Sequence, residues 1–216
     1  KKENLGHNIC NALNKITVQS RSSSNAVEHT LAASLPTLNG FESIHKLESS
    51  TQYATLRREI EEVLNRVVHE NLAVATPPLR SFVRATAWNI ERGLKLDELV
   101  SFFLEHPVVR ESDILLLTEL DWGMARTNNR FVAREIASKL GFNFGFATCY
   151  IALNKGSGLE TNAPGENTQA LHGNALLSRF PLSEVHSIAL PNGKDLMKGK
   201  EKRLGCQRAV VATIHH

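Results

Sequence analysis

The sequence predicts an α/β fold, a sheet covered by helices, and three observations predict it. Apolar residues recur at helical spacing over residues 53–68. Beyond Pro77-Pro78, strand-like and helix-like segments alternate. From about residue 144 onward, strand patterns separated by Gly/Asn/Pro turns take over.

Taken in order, residues 1–50 are weakly patterned. The polar stretch Ser20-Arg21-Ser22-Ser23-Ser24-Asn25 separates two candidate short helices, and no internal repeat is present. Over 53–68, Leu56, Ile60, Val63, Leu64 and Val67 share one helical face, with Arg57, Arg58, Glu59, Glu61 and Glu62 opposite. The pair Pro77-Pro78 closes this region, because proline lacks an amide donor and biases the residue before it away from helix. A strand is expected at 82–89, a helix at 96–104, a strand at 113–120 and a helix at 131–140. Further strands are expected at 144–153, 175–178, 185–190 and 207–214, with turns such as Asn162-Ala163-Pro164-Gly165 between them.

The bulk composition fits one main domain, alone or with a small appendage: 216 residues, 42% hydrophobic and 22% charged. A formal charge of +3 is too slight to select nucleic acid over other partners. Cys10, Cys149 and Cys206 are far apart, odd in number and without a CxxC spacing. They suggest neither a disulfide framework nor a zinc knuckle, and point to a reducing compartment such as the cytoplasm. No run approaches the roughly 18 apolar residues of a membrane span, and nothing in the sequence bears on oligomeric state. A dinucleotide fingerprint, a GKS/GKT phosphate loop and HExxH are all missing, and the run Lys194, Lys198, Lys200, Lys202 fits a solvated loop.

The residues suited to chemistry lie at strand ends. One strand pattern ends in Trp88-Asn89-Ile90-Glu91-Arg92-Gly93 and the next in Leu117-Thr118-Glu119-Leu120-Asp121-Trp122-Gly123. If those strands are parallel neighbours, Asn89 and Glu119 project from one edge, where open α/β sheets bind ligands. A carboxylate beside an amide suits a hard cation and a phosphate oxygen. The plainer alternative has Asn89 capping the following turn and Glu119 as a solvated strand end.

The series WNIERG, LLLTELD, HGNALLSRFPL and RAVVATI, in that order over residues 84–214, resembles the endonuclease/exonuclease/phosphatase family. The resemblance implies a four-layer αββα sandwich, represented by its N-terminal portion (77–216). The helical extension expected over residues 1–76 is not part of the resemblance, and is a candidate packing element against one outer face. The resemblance also implies a metal-dependent phosphoesterase using Mg2+ or Mn2+. Asn89 then matches the asparagine that orients the scissile phosphate, and Glu119 the glutamate that ligates the metal. His172 and Asn174 become substrate contacts, with a turn histidine bonded to backbone as the alternative for His172. Arg126 and Arg208 are candidates for phosphate contacts, with plain surface arginines as the alternative. Asp121, two residues beyond Glu119 on an extended strand, is a candidate for reaching the metal through water.

The family also carries a GDxN-like motif and a late Asp-His pair, and neither occurs here. The expectation is therefore a chain truncated before those elements and inactive alone, whose full-length parent hydrolyses a phosphodiester or phosphomonoester in nucleic acid or a phospholipid head group. A truncated sandwich is also expected to leave strand edges uncovered and to aggregate or be partly disordered. The alternative is a non-catalytic binding or scaffold protein that retains the fold.

Overall fold

A computed structural model describes residues 28–78 and 80–215. The candidate helices and Cys10 that fall within residues 1–27 lie outside the described residues. Five α-helices are described: α1 (Leu35–Asn39), α2 (Ile44–Glu48), α3 (Thr51–Asn65), α4 (Leu96–Glu105) and α5 (Val132–Leu140). Eight strands accompany them: β1 (Val67–Glu70), β2 (Ala85–Arg92), β3 (Ile114–Trp122), β4 (Asn143–Ala152), β5 (Leu171–Ser178), β6 (Leu182–Ala189), β7 (Arg203–Gly205) and β8 (Arg208–Ile214). The fold is mixed α/β, a multistrand sheet with helices, as the alternating patterns predict. No helix among the described residues is long and apolar enough to cross a membrane.

The main sheet runs β1-β4-β5-β3-β2, and β7 joins it by pairing with β4 beyond β1. Only β2 and β3 pair in parallel, with α4 as the crossover between them. Strands β6 and β8 form a separate antiparallel pair lying over β1, β4 and β5. The two faces of the main sheet bury different layers. Leu115, Leu117, Phe144, Phe146, Ala175 and Leu177 share one core with Ile60 and Leu64 of α3, Leu96, Val100 and Phe103 of α4, and Val132 and Ile136 of α5. On the other face, Leu176 packs with Leu182 and Val185 of β6 and with the flanking Val67, Ile114, Val210 and Ile214. That second layer leaves Leu116 of β3 42% exposed, so it covers only part of the face.

The helical extension expected up to residue 76 is not wholly helical. Helix α3 starts where Ser50 accepts a hydrogen bond from the Tyr53 N–H, and it stops at Asn65, three residues short of the expected end. The β-branched pair Val67-Val68 then pairs antiparallel with β4, so the segment enters the main sheet. Strand β2 begins at Ala85, later than expected, where its register with Ile114 of β3 starts; just ahead of it the Arg84 carbonyl accepts the N–H groups of Asp113 and Ile114. Phe82 and Val83 stay exposed before that point.

The loop joining β6 to β7 is tied to the first helices. Asp195 accepts the N–H of Ile44 at the start of α2, at 3.2 Å. Lys202 donates to the carbonyls of Asn39, the last residue of α1, and of Phe41 just beyond it, at 2.8 and 2.7 Å. The neighbour of Lys202, Glu201, is thereby set facing the ends of β2 and β3.

Candidate functional site at the ends of β2 and β3

Parallel pairing places Asn89 opposite Thr118, and after an irregularity Arg92 opposite Leu120. Asn89 and Glu119 therefore reach the same carboxyl edge from neighbouring strands. The backbone there is unusual. Glu91, Arg92 and Glu119 have φ of 48°, 67° and 60°, which side-chain-bearing residues rarely adopt. They make up three of the seven such non-glycine residues among those described, and strain of this kind concentrates where surrounding structure holds it for a purpose. Gly93 continues the turn at φ 79°, and a Cβ on it would lie 2.5 Å from Cγ1 of Val132, so glycine is required both by conformation and by space.

Asn89 is exposed, and its Oδ1 accepts the Glu91 N–H at 3.0 Å, the turn-capping contact weighed from the sequence. Glu119 donates its N–H to Oδ1 of Asn174 at 3.4 Å, and Asn174 Nδ2 donates to the Arg208 carbonyl at 2.8 Å. Asn174 thus braces the edge between β3 and β8, with both ends of its amide engaged. The Glu119 side chain keeps 38% of its surface exposed, with Oε2 3.8 Å from Nη1 of Arg92.

Behind this edge lies a buried charged network. Asp121 is fully buried. Its Oδ2 accepts from Nε of Arg126 at 2.7 Å, and its Oδ1 accepts from Nη2 of Arg126 at 3.0 Å and from Nδ1 of His172 at 2.8 Å. Burial pushes the Asp121 carboxyl up, but hydrogen bonds from His172 and Arg126 outweigh it and hold the group below the usual range. Arg126 also donates from Nη1 to Glu201 Oε1 at 2.8 Å and to Glu160 Oε2 at 3.3 Å. Burial alone would lower its affinity for the proton, yet the Asp121 carboxylate and, after it, that of Glu201 raise it. Glu201 is half-buried and held below its ordinary range, burial being outweighed by the Arg126 charge.

This arrangement corrects four expectations. Asp121 does not reach the open edge. The irregularity between Leu117 and Leu120, with Glu119 left-handed, breaks the alternation that would put residues 119 and 121 on one side, and both carboxylate oxygens are engaged inside. Arg126 is neither a phosphate contact nor a surface arginine, since only 2% of its side chain is exposed and it neutralises Asp121. Arg208 is also buried, at 3%, donating to Ser187 Oγ and Asn65 Oδ1 at 2.8 and 2.9 Å. His172 is buried at 7% and bonds Asp121 rather than lining the edge. Because an ionised Asp121 can only accept, the His172 proton sits on Nδ1.

Sequence reasoning passed over Arg92, Glu160 and Glu201. Arg92 Nε lies 2.8 Å from Glu160 Oε1, and its Nη2 lies 3.8 Å from Glu201 Oε2. Arg92 stood inside the WNIERG segment, where two successive charged residues before a glycine were the available signal. Glu160 and Glu201 come from loops 68 and 109 positions beyond Arg92, and no local pattern connects them to it. No protein-family model, curated protein or solved structure matches the chain.

Proposed function

We propose that this edge is the phosphate- and cation-binding part of a metal-dependent phosphoesterase of the endonuclease/exonuclease/phosphatase type, working on a nucleic-acid or phospholipid phosphoester. The observation that carries the reading is the meeting of Asn89 and Glu119 at one edge of a parallel strand pair, in backbone held left-handed at Glu91, Arg92 and Glu119. The αββα layering belongs to the same proposal. It is supported by the order helices, six-stranded sheet, two-stranded sheet.

The residues present fit the protein's share of a magnesium or manganese site. Such ions take one or two carboxylates and complete their shell with water and phosphate oxygens. Among the described residues no group of three or more His, Cys, Asp or Glu side chains is placed to hold a metal ion by itself, so Glu119 is the proposed ligand, partly exposed and without a short ion pair. When bound, the cation supplies charge stabilisation on the phosphate oxygens. Asn89 keeps its amide nitrogen for a phosphate oxygen while its Oδ1 fixes the turn. No residue of this sequence is assigned as the water-activating acid, since the GDxN and Asp-His motifs do not occur in it.

The test is hydrolysis of bis-p-nitrophenyl phosphate with Mg2+ or Mn2+ by the longest polypeptide that carries this sequence. The Glu119→Ala form should lose roughly 100-fold or more in rate. Full activity in that form would remove Glu119 from the site. The non-catalytic reading is favoured by one observation, the Asn89 side chain already serving as a turn cap. It predicts no turnover and no Mn2+ binding dependent on Glu119.

A further inference from the structure

We infer that Arg92 is a positioning residue that competes with a divalent cation for Glu119, and that Glu160 sets the strength of that competition by holding its guanidinium. The inference rests on the reading of Glu119 as the cation's ligand.

Three carboxylates surround the Arg92 guanidinium at unequal distances. Glu160 Oε1 makes the closest ion pair, 2.8 Å from Nε, although the N–H is not aimed at it, whereas Glu119 Oε2 and Glu201 Oε2 lie 3.8 Å from Nη1 and Nη2. Glu160 and Glu201 each give their other oxygen to Arg126, which is anchored in turn by the buried Asp121. The two glutamates therefore bridge a fixed arginine and a partly exposed one. Glu160 is itself fixed, accepting the Ser157 N–H at 2.9 Å in a capping box. At the other end, the Arg92 backbone is held by the turn that Gly93 presses against Val132.

The consequence is electrostatic. A guanidinium beside Glu119 but ion-paired most closely with Glu160 leaves the Glu119 oxygens open while still opposing an incoming cation. Without the Arg92 charge, the opposition goes. Without the Glu160 charge, Arg92 is released to close on Glu119, and the opposition grows. A purely structural role for either residue makes the opposite prediction for Arg92, since disordering the edge weakens binding in both cases.

The experiment is Mn2+ binding to the longest polypeptide that carries this sequence, followed by calorimetry and by the Mn2+ paramagnetic resonance signal. The forms compared are the wild type, Glu119→Ala, Arg92→Met, Arg92→Lys, Glu160→Gln and the Arg92→Met/Glu160→Gln double variant. Arg92→Met should bind about three- to fivefold more tightly, Arg92→Lys close to the wild type, and Glu160→Gln weaker by a similar factor. In the Arg92→Met background the Glu160→Gln effect should vanish, because it acts through the arginine. Weaker binding by both single variants, or additive effects in the double, overturns the inference while leaving Glu119 as ligand. Equal Mn2+ binding by Glu119→Ala and the wild type overturns the reading of Glu119 and this inference with it. Glu160→Gln keeps its capping ability, so it tests the idea even if Arg92→Met does not fold.

Discussion

Asn174 holds Glu119 by the backbone: its Oδ1 accepts the Glu119 N–H at 3.4 Å, at the position where the chain takes φ 60°. The same amide donates to the Arg208 carbonyl of β8, so one side chain joins the kinked end of β3 to the second sheet. Replacing it with leucine leaves the Arg208 carbonyl and the Glu119 N–H without that partner. Asn174→Leu should cost about 1–3 kcal/mol, seen as a lower urea midpoint, and should weaken Mn2+ binding through Glu119. An unchanged midpoint would mean that the left-handed turn is held without Asn174.

Arg126 is the counter-charge of a carboxylate with no exposed surface. Arg126→Met should destabilise by roughly 3–5 kcal/mol, because a buried Asp121 is then left with His172 and a long hydrogen bond from the Thr127 hydroxyl, and without its guanidinium counter-charge. Lysine should not restore it, since the two parallel hydrogen bonds need the guanidinium fork. The sign of the acid response follows from the lowered Asp121 value. Its contribution is complete above the ordinary 3.8 and is lost as pH falls through the lower folded value. Acid unfolding followed by the fluorescence of the buried Trp122 should therefore begin at a higher pH in Arg126→Met than in the wild type.

Gly93→Ala tests the turn that carries Arg92. Its Cβ would enter the space of Val132, in a left-handed backbone, and the cost should be about 1–3 kcal/mol by denaturant unfolding. The paired variant Gly93→Ala/Val132→Ala should recover the steric part and keep the conformational part.

His29 makes the described N-terminal segment sensitive to pH. Its Nε2 donates to the Gln169 carbonyl at 2.7 Å and its Nδ1 accepts the Leu31 N–H at 3.2 Å, a pair of roles open only to the neutral ring. Burial lowers its proton affinity from the ordinary 6.5, with the Gln169 bond working the other way. Stability from this contact is fully present above 6.5 and declines as pH falls from there towards the folded value. Urea midpoints should drop between pH 7.5 and 5 in the wild type and less so in His29→Gln. Parallel curves would place the pH response elsewhere.

The sequence by itself determined the elements whose burial is periodic. Helices α4 and α5 and strand β3 lie within a residue or two of their expected limits, because one apolar face per element can be read along the chain. The same reading placed Asn89 and Glu119 at one edge, since parallel neighbours joined by a helix put their ends together. The apolar pattern of strand β5 starts only at Ala175, because His172, Gly173 and Asn174 are polar or small and face Asp121, Phe146 and Arg208 instead of a simple apolar layer.

What only the tertiary structure decided is which charges neutralise which. Asp121, Arg126, Glu160 and Glu201 meet from four segments up to 80 positions apart. A carboxylate at a strand end serves a ligand or an internal ion pair according to what folds over it. At residue 119 one left-handed turn sends its carboxylate towards solvent, and two residues later the next one goes inside. Spacing along the chain carries no record of such a turn, because it is the long-range contacts at Asn174 and Arg92 that hold it.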